Sequence, residues 1–325
     1  MKSIHIKKYS SDFKHQWDDF VRNSKNGTFL FERDFMDYHA DRFEDFSLMI
    51  FEKNKIIALL PAHKEKNSLY SHQGLTYGGF ILSKKIKFEK FLQVFKAVLI
   101  LLEEENIDSF EIKLVPKIYH QYPSDEIDYL LFLMKAKPVR SDLSAAILQQ
   151  EALKIQSNRM EGVKKAIKNG LKVKKENTFQ EFWNQILIPN LQKYHQAKPV
   201  HSVLEIEDLA SKFPKNIHQF NVYKENKIIG GTTIFETHTT AHVQYIASDD
   251  NRQKWGTLDF LFHYLIEEEF SKKKYFDFGT SNENKGLNVN KGLMYWKECF
   301  GARSVVCETY KIQPHQHYLL DDVFL

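Results

Sequence analysis

The chain has 325 residues, 42% of them apolar and 27% charged, the balance of an ordinary globular protein about two domains long. A net charge of +4 is too weak to argue for nucleic acid, and two cysteines, Cys299 and Cys307, cannot build a disulfide framework or a four-ligand zinc site. The opening residues hold no apolar secretion core and the longest aliphatic stretch, AVLILL at residues 97–102, is far short of a membrane span, so a reduced, cytoplasmic protein is expected.

In chain order, FKHQWDDFV places Phe13 and Trp17 four apart, the spacing of a buried helical face. FSLMIF then turns at EKNK and returns as IIALLPAHK, two strands around a tight polar turn. LTYGGFIL predicts a third strand, FEKFLQVFKAVLILLEEE a helix, and IDSFEIKLV a strand. SDEIDYLLFLMK predicts a helix capped by Ser124 or Asp125, and VRSDLSAAIL closes the series.

The second half repeats this order. FQEFWNQIL sets Phe179 four before Trp183; HQFNVY turns at KENK into IIGGTTIFE; AHVQYIAS is a strand; TLDFLFHYLIEEEF is a helix. KYFDFG predicts a strand, LMYWKECF a short helix, and ARSVVCETYKI the last strand. One matching tetrapeptide, NKII, arises easily by chance, but the same succession of elements in the same order does not. Two α/β units in tandem follow, with the join in residues 141–157 and domains at 1–148 and 149–325.

That order of elements resembles the GNAT acetyltransferase fold, and the tandem resembles the FemAB-like acyltransferases with their BioF2-like relatives. The residues that carry the resemblance are RMEGVKKAIKNG, YHQAKPVHS, GGTTIF, FDFGTSNENKGLNVNKGL and YWKECFGA. It implies an α+β chain of two GNAT-like domains, each a mixed, largely antiparallel sheet flanked by helices. The first domain would shape an acceptor groove around a degenerate donor site, and the second would hold the donor and the transfer site. The activity implied moves an acyl or aminoacyl group from a thioester or ester onto an amine of a sugar or cell-envelope precursor. Acyl-CoA would be the co-substrate, with no tightly bound cofactor. Aminoacyl-tRNA is disfavoured because no long charged helical-hairpin arm is visible, although some Fem enzymes lack one. A catalytically silent module for a nucleotide sugar or peptide is the alternative, and DNA is not expected, since no recognition motif stands out.

Particular residues follow from chemistry and from the resemblance together. Arg252, Gln253, Lys254, Gly256 and Thr257 stand where a strand passes into a helix, a place suited to a donor pyrophosphate. The same residues also read as a solvated loop with Thr257 as N-cap. Arg159 and Lys164 belong to a basic run at the second unit's entrance, with Arg159 the preferred anion ligand. Tyr77, beside Gly78 and Gly79, and Tyr194, His195 and His201 are acceptor-side candidates. In the final block Asp277 would orient or deprotonate the amine, Tyr295 would protonate the leaving group, and Lys297 would stabilise developing charge. The histidines show no helical ligand pair with a third ligand nearby, and no metal is expected.

Overall fold

A computed structural model describes residues 4–325. It resolves into two compact units: unit 1 runs to Asp142 and takes in Val306–Leu325, and unit 2 is Leu143–Val305. The second domain placed at 149–325 from the sequence therefore ends earlier, because its last segment packs elsewhere. Residues 309–312 pair antiparallel with residues 110–113, and Ile312 and Leu320 are buried in the core of unit 1.

In unit 1 the strands Ile4–Lys8, Leu48–Glu52, Lys55–Leu60 and Ile81–Leu82 form one antiparallel sheet in that order. A second set holds Ser109–Lys113 between the closing segment and Ser68–Tyr70, followed by His63–Glu65 and Glu44–Asp45. The helix Phe88–Glu104 presents Phe91, Leu92, Phe95, Val98, Leu99 and Leu102 to this core, the helical spacing read from the sequence. The third strand expected at LTYGGFIL is reduced to Ile81–Leu82. Gly79 at φ +92 breaks the extended run there, and Gly78 makes only an isolated parallel bridge to Leu114.

Unit 2 orders its strands Leu171–Glu176, Ile217–Lys224, Lys227–Glu236, Thr240–Ser248 and Tyr275–Thr280, with residues 144–148 beside the last. Only the Thr240–Ser248 and Tyr275–Thr280 pair is parallel, as the helical crossover between them requires. Both units are thus mixed, mostly antiparallel α/β structures.

The repeated NKII marks the same object twice. In unit 1 Glu52 pairs with Lys55 and Phe51 with Ile56, and Ile57 is the extra residue of a bulge before Ala58 meets Ile50. In unit 2 Lys224 pairs with Lys227 and Tyr223 with Ile228, and Ile229 is extra before Gly230 meets Val222. The first loop residue has positive φ in both, 56° at Lys53 and 56° at Glu225. The entrances agree as well, since Trp17 and Trp183 are both fully buried and each donates its indole N–H to a backbone carbonyl, of Phe31 (2.7 Å) and His201 (3.1 Å).

Candidate functional site

The parallel strands of unit 2 pair at Thr240 with Tyr275, Ala241 with Phe276 and His242 with Asp277, and then part. Gly279 at φ +71 lies in a bulge of the second strand, which keeps its other partner, residues 144–148, with Asp277 opposite Ala146 and Thr280 opposite Ser144. A fork opens at this point, and a polar cluster sits at its vertex.

Asp277, 3% exposed, is the centre of that cluster. Its Oδ1 accepts from Ser144 Oγ (2.8 Å) and from the Gly279 N–H (2.9 Å). Its Oδ2 lies 2.9 Å from His242 Nδ1. A carboxylate only accepts, so Nδ1 carries the proton and Nε2 is left as the basic nitrogen of the ring. Three donors thus hold the Asp277 carboxylate. The His242 ring is partly buried and packs over Gly279, where a Cβ would stand 3.2 Å from its Cε1.

Lys297 closes the far side of Gly279. It lies on the helix Lys291–Glu298, whose N-cap Asn290 accepts from the Leu293 N–H (3.0 Å), as its sequence position suggests. Its side chain is 3% exposed, and Nζ donates to the carbonyls of Gly279 (2.7 Å) and Thr280 (2.8 Å). Burial brings its pKa down to about 8, against the pull of the Asp277 charge. Lys297 and Asp277 therefore hold the two sides of one turn. The third residue of the group read from the sequence is elsewhere: Tyr295 is 55% exposed, and its hydroxyl accepts weakly from Asn158 (3.4 Å).

The turn read from the sequence as a donor site is a four-residue helix, Arg252–Trp255, ending at Gly256 with φ +70, before the helix Thr257–Tyr264. Arg252, Gln253 and Lys254 are exposed, and Lys254 Nζ lies 4.4 Å from the centre of the Trp255 ring. The other side is closed, because a Cβ on Gly256 would collide with the Gly162 carbonyl of the helix Ser157–Lys168. Thr257 is fully buried and does not cap; Gly256 is the N-cap residue. Arg159 is committed to Asp259 (2.9 Å) in the first turn of that same helix, and Asp259 also accepts from Trp296 Nε1 (3.3 Å). Lys164 is exposed on the neighbouring turn.

The acceptor-side candidates scatter. Tyr194 is exposed and donates to Asp250 (2.6 Å), and His195 is exposed next to it. His201 is buried, with Nδ1 2.6 Å from the Tyr245 hydroxyl, whose pKa burial raises to about 12. In unit 1 Tyr77 is buried against Tyr119, with ring centres 4.7 Å apart, and donates to Thr28 Oγ1 (3.1 Å). Gly78 and Gly79 line a cleft with Asn26, Leu114, Lys117 and His120, beside the isolated bridge of Gly78 to Leu114.

Ser144 was not among the residues the sequence singles out, and His242 was weighed there only as a metal ligand and set aside. The usable signal was the order strand, crossover helix, strand, which makes AHVQYIAS and YFDFG parallel neighbours and brings His242 opposite Asp277.

No family model matches the chain, and no curated protein matches it in sequence. Solved structures do match in shape. FemX gives a TM-score of 0.67 at 10% identity, covering 97% of this chain and 99% of its own. L-PGS from Bacillus licheniformis gives 0.60 at 13% identity, covering 97% and 96%. A tandem GNAT protein from the clavulanic acid biosynthesis pathway gives 0.51 at 6% identity, covering 96% and 99%. Likeness at these identities is likeness of fold, and with the hairpin repeated register for register it establishes that the chain has the FemAB-like, tandem GNAT fold its sequence resembles.

Proposed function

We propose that this chain is an N-acyltransferase, moving an acyl or aminoacyl group from a thioester or ester, acyl-CoA foremost, onto an amine of a sugar or cell-envelope precursor. The observation that carries the reading is the Asp277–His242 pair at the vertex of the strand fork in unit 2. Acyl transfer needs a neutral amine beside the carbonyl, donors for the oxyanion and a route for one proton. His242 Nε2 takes that proton as the C–N bond forms and the bond to the leaving thiolate or alkoxide breaks, and then returns it to the leaving group. Asp277 fixes the tautomer and steadies the imidazolium, while Ser144 and the Gly279 N–H hold Asp277 in place. Arg252 and Lys254, exposed on the donor turn, supply charge for the donor's phosphates.

The test is acylation of amino-sugar acceptors with acetyl-CoA, run alongside an aminoacyl-tRNA arm. His242→Ala is expected to lose at least about a hundredfold in turnover, the usual worth of a positioned acid–base group, with the fold intact by circular dichroism. Near-normal turnover in that variant would sink the dyad. Transfer seen only from aminoacyl-tRNA would replace acyl-CoA as the donor.

A further inference from the structure

Unit 1 holds a second cleft, of about 260 Å³, which no step of acyl transfer uses; Tyr70, His72, Glu111, Lys113, Arg140 and Thr309 line it. Its space is roughly that of nine waters. The floor is one face of three neighbouring strands. Glu111 and Lys113 alternate with Phe110 and Ile112, which face the core, and Tyr70 pairs with Glu111 as Thr309 pairs with Lys113.

Residues 71–78 leave and rejoin the edge of the strand that holds Lys113, and Ser71, His72 and Gln73 line the cleft beside it. The Ser71 N–H donates to the Glu111 carbonyl (2.9 Å), the Lys113 N–H to Ser71 Oγ (2.8 Å) and the Gly78 N–H to the Lys113 carbonyl (2.7 Å). Burial pushes the Lys113 amine below the usual lysine range, with Asp142 pulling the other way and Arg140 adding to the depression. Among the described residues Lys113 Nζ has no ion-pair partner. Arg140 is anchored through Nε to the buried Asp142 (2.8 Å), and among the described residues its two Nη groups have no partner. His72 adds no charge near neutral pH, since burial, with His39 and His63 behind it, takes its pKa down to about 3.

An ammonium with no ion pair, beside a guanidinium fixed by one nitrogen, has donors to spare for an oxyanion, since Asp142 is spent on Arg140 and Glu111 is the carboxylate of the lining. We propose that this cleft is a binding site for a small molecule bearing a carboxylate or a phosphate, held by Lys113 and Arg140. Ser71, His72 and Gln73 form one wall of it, and the ligand's negative charge favours the protonated form of Lys113.

The test is calorimetric titration of the full chain at constant ionic strength with inorganic phosphate and, separately, with acetate. Saturable binding of at least one anion is expected, and which one binds separates a phosphate ester from a carboxylic acid. Lys113→Met is expected to weaken it tenfold or more, Lys113→Arg to keep most of it, and Lys53→Met, at an exposed hairpin turn, to leave it unchanged. Because the amine must be protonated to bind, affinity is expected to fall as pH rises, sooner than an ordinary lysine would allow. A folding failure of Lys113→Met is covered by a second readout, reductive methylation of Lys113 in the unaltered protein, which the bound anion is expected to slow. The absence of saturable binding, or equal binding by wild type and a folded Lys113→Met, overturns the proposal.

Discussion

Lys297 is where chemistry and stability meet most directly. The sequence presents it as a cation near a strand end, and removal of its charge is expected from that view to leave the melting temperature alone. Its burial changes the expectation: Lys297→Met strips two carbonyls of their donor, at a cost of about 1–3 kcal/mol. The pH dependence has a definite sign. The folded value is about 8 against an ordinary 10.5, so between these the unfolded chain binds a proton that the native state lacks, and stability from this group rises with pH. Urea unfolding of wild type and Lys297→Met at pH 7.5 and pH 10 measures it; the difference between them is expected to move in favour of wild type at the higher pH, and a flat difference would refute the shift. Asp277 was legible as a polar residue ending an apolar strand, but its partner was not. A histidine alone in AHVQYIAS is indistinguishable from a core histidine until the crossover brings the two strands side by side.

At the scale of elements, the turns are what the sequence announces best and the irregular joins what it hides. Both hairpins could be read because a charged pair before Asn interrupts two β-branched runs, and the register follows from where the alternation restarts. The hairpin His63–Glu65 with Ser68–Tyr70 gave no such sign, since HKEKNSLY is polar and its strands are three residues long. Leu171–Glu176, rich in lysine, is an edge strand for the same reason that it does not look like one: charges keep an unpaired edge from pairing further. The turn at Gly256 gives the sharpest prediction at this scale. Gly256 combines φ +70 with contact against Gly162, so Gly256→Val is expected to destabilise unit 2 by at least about 2 kcal/mol, read from its urea midpoint. A loss of donor binding in that variant would therefore say nothing about phosphate; Arg252→Ala, on the exposed side, separates binding from folding. Asn290→Ala is expected to cost about 1 kcal/mol through the lost cap on the helix that carries Lys297.

Over the whole molecule the repeat was visible and the route of the chain was not. Succession of elements reveals two units, yet nothing in ARSVVCETYKI says that its second half belongs with strands almost two hundred positions earlier, because antiparallel pairing leaves no local mark of distance. A chain stopped after Val305 is expected to lose the protection of unit 1's core against hydrogen exchange while the amides of unit 2 keep theirs; equal protection in both would contradict the division. The same routing sets an order of events during synthesis. Unit 1 is begun first but needs Val306–Leu325, so it stays open while all of unit 2 is made, and the unit encoded second is the one that can close first. Through that interval the faces of Phe110 and Ile112 wait without their closing strand, which makes the nascent first half a natural client of chaperones and places its greatest risk of aggregation on the ribosome rather than in the finished protein.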